Sequence, residues 1–168
     1  MINYLYNKLK QEKFKSRGFY EFDIHECGKE RHIKSVTFGE RIVQRCLCDN
    51  SLIPIIKRSL IYDNSATLQF RGYHFAIKRL CKFLKQHYQK YGNNGYILIF
   101  DFRKYFDNIS HDLCKKILAK NIKDKKILNL TYQFIDNFSG DKGLGLGSQI
   151  SQILAVAAAN KLDHFIKQ

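Results

Sequence analysis

Residues 96–111, Tyr-Ile-Leu-Ile-Phe-Asp-Phe-Arg-Lys-Tyr-Phe-Asp-Asn-Ile-Ser-His, carry the densest chemistry of the chain. An apolar, aromatic-rich run fit for a buried strand ends on Asp101, and a bulky ring, Phe106, follows five residues later. A carboxylate at the end of a buried strand is costly to bury unless something neutralises it, and a divalent metal is one solution. The plain alternative is a strand that stops at a solvated Asp. Asp107 caps or solvates the turn that follows, and Asp163, far along the chain, lies among exposed groups of a last helix.

Two further features bear on chemistry. Lys29 and Arg31 flank an expected turn and could grip a triphosphate, Arg through its forked geometry; alone, they read as solvated surface. Gly143-Leu-Gly-Leu-Gly147 has the wrong spacing for a dinucleotide fingerprint, follows a helix, and lacks the Gly-Lys-Ser/Thr ending of a P-loop. It reads as a connector, with the next helix N-terminus offering an anion or backbone contact.

Charge narrows the function classes. The 168 residues carry a formal net charge of +14, with 29 Lys and Arg against 15 Asp and Glu spread along the chain. A folded basic surface of this kind meets a polyanion through counterion release, with an anionic membrane surface as the competing explanation. The 14% aromatic content favours nucleic acid, because Tyr and Phe give bases a stacking surface. No run approaches the roughly 20 apolar residues of a membrane span, and no signal peptide is evident. The five cysteines are odd in number and never spaced Cys-x-x-Cys, which suits reduced, mostly buried thiols of a cytoplasmic protein. His25, Cys27 and His32 lack a fourth ligand at zinc-like spacing.

These residues need elements to position them. Tyr20, Phe22 and Ile24 alternate with acidic residues, predicting extended segments over 18–37 around a turn at 27–30. Helices are expected from Glu40, from Pro54 to about Leu60, from Tyr73 to about Tyr91, after a Ser110 cap, over 124–138, and from about Ser148 to Lys167. Residues 96–102 are expected to form a strand. On the helix from Glu40, Ile42, Val43, Cys46 and Leu47 share one face, with Arg41, Gln44 and Arg45 opposite. In the last helix Ala155 and Ala157–Ala159 permit close approach of another element.

The order of the pieces carries a resemblance. Asp101-Phe-Arg-Lys-Tyr-Phe-Asp-Asn-Ile-Ser-His111 resembles motif A of bacterial reverse transcriptases, with Arg103 in place of a Lys. Gly28-Lys-Glu-Arg-His-Ile33 and Glu40-Arg-Ile-Val-Gln44 resemble the fingers motifs of that family. Ser65-Ala66 through Arg71-Gly-Tyr-His-Phe-Ala76 resembles its fingers–palm segment. Gly143-Leu-Gly-Leu-Gly-Ser-Gln-Ile-Ser-Gln152 resembles motif B, in the form found in diversity-generating retroelements.

The resemblance implies an α+β right-hand polymerase: fingers over 1–72 and the N-terminal part of the palm over 73–168. It implies an RNA-directed DNA polymerase that extends a DNA or RNA primer on an RNA template with dNTPs. Asp101 and the Phe102 backbone carbonyl would be ligands of Mg2+ or Mn2+, in the two-metal logic of phosphoryl transfer. Phe106 would be the steric gate against a ribose 2′-hydroxyl. Arg31 and Lys29 would hold the triphosphate, and Gly147 would pack beside the nascent base pair. The family's Tyr-x-Asp-Asp motif C and its thumb are missing, and no Asp-Asp pair occurs in these residues. The expectation is therefore a chain inactive by itself, with a non-catalytic nucleic-acid-binding module as the alternative. An apolar strand without its sheet neighbours also predicts self-association through the incomplete palm sheet.

Overall fold

The computed structural model describes all 168 residues. Helix α1 (Ile2–Lys10) leads to an antiparallel ribbon of β1 (Tyr20–Glu26) and β2 (Lys29–Ser35). The register runs from Tyr20 opposite Ser35 to Glu26 opposite Lys29, leaving a two-residue turn at Cys27-Gly28. Both turn residues have positive φ, 51° and 74°, the twist that a tight hairpin requires. The exposed ribbon is laced by charge: His32 sits 2.7 Å from Asp23 and 3.2 Å from Glu21, and Lys34 reaches Glu21 at 3.0 Å. The hydrogen-bonded carboxylates of Asp23 and Glu21 raise the His32 pKa above its usual value, favouring the charged ring.

Helix α2 (Phe38–Leu47) starts at Thr37, whose hydroxyl accepts from the Glu40 N–H at 3.4 Å. It runs through a π-helical turn, Cys48–Leu52, into α3 (Ile53–Lys57). Pro54 has no N–H to give and sits in the first turn of α3, where none is needed, so a helix does start there as expected, though it ends at Lys57 and is continuous with α2 through the widened turn. Helices α6 (His111–Asn121), α7 (Lys125–Asp136) and α8 (Gln149–Lys167) complete the body. Asp124 caps α7 by accepting from the Lys126 and Ile127 N–H groups at 2.8 and 3.2 Å, a contact worth about 1 kcal/mol.

One apolar core of 19 buried residues joins α2, the π-helical turn, α3, α6, α7 and α8. Leu52, Leu118, Phe134, Ile135 and Leu154 lie at its centre, each at most 1% exposed. Ala155 and Ala157 are buried, and the small side chain lets the Tyr105 hydroxyl reach the Ala155 carbonyl at 2.7 Å.

Helix α4 (Tyr73–Tyr91) forms where expected yet buries none of its residues. Its stripe of Ile77, Leu80 and Leu84 stays open. A clasp ties it to the body: Asp63 takes hydrogen bonds from Arg79 and ion-pairs with Lys167, while Lys167 and Arg79 lie over the Phe83 ring. Burial pushes the Asp63 pKa up, but the hydrogen bonds from Arg79 and Lys167 outweigh it and hold it below its usual value. A lowered carboxylate pKa contributes stability above the unfolded-state value, lost as pH falls through the folded-state value. Asp63→Asn is expected to cut amide-exchange protection of α4 roughly tenfold near neutral pH. The two proteins should converge only as pH falls through the lowered folded-state pKa of Asp63. A gap that persists there would sink the charge argument.

Residues 96–102 correct the strand expectation. They form no strand, make no backbone hydrogen bond, and expose every side chain. A strand exists only when a neighbour takes its N–H and C=O groups, and the sole sheet here is the β1–β2 ribbon, to which these residues are not bonded.

Candidate nucleic-acid interface

The short helix α5 (Tyr105–Asn108) follows Lys104, which takes the left-handed conformation at φ 50°. The glycine-rich loop is bonded to this turn: the Leu144 N–H donates to the Phe106 carbonyl at 2.9 Å, and the Gly143 N–H to Ile109 at 2.8 Å. Buried His111 donates from Nε2 to the Gly143 carbonyl at 2.7 Å. At its other end the loop meets the ribbon, where the Lys34 N–H donates to the Leu146 carbonyl at 2.8 Å. Gly147, at φ +102°, lies so close that a Cβ there would stand 2.7 Å from Ile33 Cγ2. Segments far apart in sequence, 105–109, 143–147 and 33–34, thus meet at one place.

Phe106 is half-buried against the core, and Gly147 is three residues beyond the amide that holds its carbonyl. Phe102 stacks on Tyr105, with ring centroids 5.2 Å apart. Asp101 is exposed and has no hydrogen-bond or ion-pair partner. Lys29 and Arg31 stand on the turn half of the ribbon, where Arg31 is ion-paired to Glu26 at 2.6 Å. No hydrogen bond or ion pair joins either to Asp101 or Phe106. No three His, Cys, Asp or Glu side chains cluster to hold a metal ion. The lone Asp101 with the Phe102 carbonyl does not fit a two-metal centre.

The loop also borders a cleft of about 1220 Å3 between α2, the π-helical turn, residues 67–69 and the start of α8. Arg41, Gln44, Arg45, Gln149 and Gln152 line it. Arg45 pairs with Asp49 at 2.5 Å, which also accepts from Gln149 at 3.1 Å, whereas Arg41 has no ion-pair partner. Gln44 is 3% exposed; its Oε1 accepts from Ser148 at 3.3 Å, and its Nε2 has no partner. A buried donor without an acceptor is costly, and this one lies behind the wall, out of reach of the cleft. Phe38 forms part of the wall, and beside residues 67–69 Phe70 is 92% exposed, held at φ 62°. Cations, amides and free rings together are what a single strand of nucleic acid needs: charge for phosphates and π-faces for bases.

Of the five thiols only Cys48 and Cys114 are buried; Cys27, Cys46 and Cys81 are exposed, against the expectation that most would be buried. Burial pushes Cys48 up to about 12 and Cys114 to about 11, so both stay protonated. The cleft was only half visible in the sequence. Arg41, Gln44 and Arg45 stood out as a polar face, but Gln44's burial under α8 depends on a contact with Ser148, 104 residues away.

No family profile matches the chain. Over 86 residues it is 34% identical to the COX1/OXI3 intron 1 protein of Saccharomyces cerevisiae, an alignment covering 46% of this chain and 10% of that relative. The chain therefore spans about a tenth of the length of the curated relative it matches. No helix is long and apolar enough to cross a membrane.

Proposed function

We propose that the chain is the fingers and first palm segment of an RNA-directed DNA polymerase, and that its own task is to grip the RNA template in the α2–α8 cleft. The observation that carries this reading is the convergence of the Phe106 turn, the Gly147 loop and the ribbon base beside a cleft lined by Arg41, Arg45, Gln149 and Gln152. The likeness to an intron 1 protein supports a retroelement lineage. The net charge of +14 supports a polyanionic partner.

Polymerisation is not assigned to these residues alone. Phosphoryl transfer by two Mg2+ or Mn2+ ions needs several convergent carboxylates, and Asp101 supplies one. In a complete enzyme Asp101 would be this chain's contribution to the metal set, with Phe106 against the sugar of the dNTP. The lone carboxylate equally favours a second reading, a non-catalytic RNA-binding module of the same lineage.

Two assays test the proposal. A fluorescent single-stranded RNA should bind with an affinity that falls steeply as salt rises; binding insensitive to salt would refute the template grip. Primer–template extension with Mg2+ or Mn2+ should be absent. Extension abolished by Asp101→Ala would show that these residues do assemble an active centre.

A further inference from the structure

The register of the ribbon sets Asp23 opposite His32, with Glu21 opposite Lys34 and His25 opposite Glu30 on the same face. The His32 ring lies between two carboxylates. Its Nδ1 is 2.7 Å from Asp23 Oδ1, and its Nε2 is 3.2 Å from Glu21 Oε2. A neutral imidazole carries one N–H and presents a lone pair at its other nitrogen. An ionised carboxylate only accepts, so a neutral ring satisfies one of these contacts and sets lone pair against lone pair in the other. The imidazolium, with two N–H groups, satisfies both.

We propose that His32 is a pH-sensitive latch: protonated, it ties Asp23 and Glu21 into one charge chain that holds the ribbon against the glycine-rich loop, and loss of that single proton loosens the ribbon. The latch is independent of the polymerase reading.

The contacts run on to the loop. The second oxygen of Glu21 takes Lys34 Nζ at 3.0 Å, so Asp23, His32, Glu21 and Lys34 alternate in sign. The Lys34 N–H donates to the Leu146 carbonyl at 2.8 Å. Its Cβ also crowds Gly145, where an added Cβ would stand 2.8 Å away. Lys34 thus joins the charged face of the ribbon to the loop through both backbone and side chain.

The ribbon depends on such contacts. None of its residues is buried, and two strands alone are marginal in water. Exposed ion pairs are individually weak, but here one proton decides two of them at once. No other charge makes good its loss. Glu30 lies 3.9 Å from His25, Arg31 on the opposite face is paired with Glu26 at 2.6 Å, and Lys34 is already on Glu21. Asp23 and Glu21 are the carboxylates within ion-pair distance of the ring, and no helix supplies another.

The direction of the response follows. Hydrogen bonds from Asp23 and then Glu21 raise the His32 pKa, while those from Lys34 and His32 lower that of Glu21 and keep it ionised. A raised histidine value contributes stability that is complete below the unfolded-state pKa of about 6.5. That contribution is lost as pH rises through the folded-state value. The latch is closed at mildly acidic pH and opens as the solution becomes alkaline.

NMR of the full chain, isotope-labelled, from about pH 5 to about pH 9 gives the test. At the lower end the ring nitrogens of His32 should both carry protons. Amide protection across 20–35 and at Lys34, corrected for the intrinsic pH dependence of exchange, should fall about threefold to fivefold. Its midpoint should coincide with the His32 titration. Asp23→Asn and Glu21→Gln should each lower that midpoint, and His32→Gln should abolish the step in protection. His25→Gln, on the same face, should leave the step in place. These residues lie outside the core, so the variants keep the fold. A His32 midpoint unmoved by both carboxylate variants would overturn the proposal. So would protection that does not step with His32, or a step that survives His32→Gln.

Discussion

A Gly147→Ala protein is expected to melt about 5–15 °C below the parent. Two costs combine. The residue sits at φ +102°, where an L side chain is strained by about 1–2 kcal/mol. The new methyl would also stand 2.7 Å from Ile33 Cγ2 and 3.2 Å from the Lys34 carbonyl, and the ribbon must shift to admit it. Overpacking of that kind costs about 1–3 kcal/mol. Gly140→Ala is the control: its φ is +80°, but nothing lies within 4 Å of the added carbon. Thermal denaturation of both separates backbone strain from collision. If they lose the same stability, the loop is not pressed against the ribbon. RNA affinity should fall with Gly147→Ala as well, because the loop forms one wall of the cleft.

Reversing charge in the cleft is the second large effect. Arg41→Glu combined with Arg45→Glu should lower affinity for single-stranded RNA about a hundredfold near 100 mM salt. The log–log salt dependence should become shallower by about 1.4, about 0.7 for each of two lost phosphate contacts. Arg41 should account for the larger share, since Arg45 already shares its charge with Asp49. Anisotropy titrations at several salt concentrations measure both quantities. Reversing Lys82 and Lys85 on exposed α4 removes equal charge away from the cleft and tests whether location matters. Equal losses from the two pairs would mean that net charge alone drives binding.

Local patterns in the sequence identified most helices, for local reasons. The 3.6-residue stripe over 73–91, the Ser110 and Asp124 caps and the alanine-rich run in α8 are properties of neighbouring residues. The hairpin turn was also legible, though it closes on Cys27-Gly28 alone. Residues 96–102 were misread because β-propensity describes willingness to pair and says nothing about a partner. Helix α5 was missed because its one turn depends on Lys104 being left-handed. At the site, Phe106 and Gly147 were legible as residues of interest. Their convergence was not, because it rests on the Leu144–Phe106 and Lys34–Leu146 hydrogen bonds between distant segments. The orphaned Gln44 amide was invisible, since burial belongs to the packed chain and not to the residue.

Crosslinking to a single-stranded RNA carrying 4-thiouridine, with the attachment sites mapped by mass spectrometry, tests the template grip most directly. The account predicts adducts at the cleft, on Phe38, Phe70 and the Gln149–Gln152 turn, lost with the Arg41 and Arg45 reversals. Adducts confined to the lysine side of α4, at Lys78, Lys82 and Lys85, would contradict it.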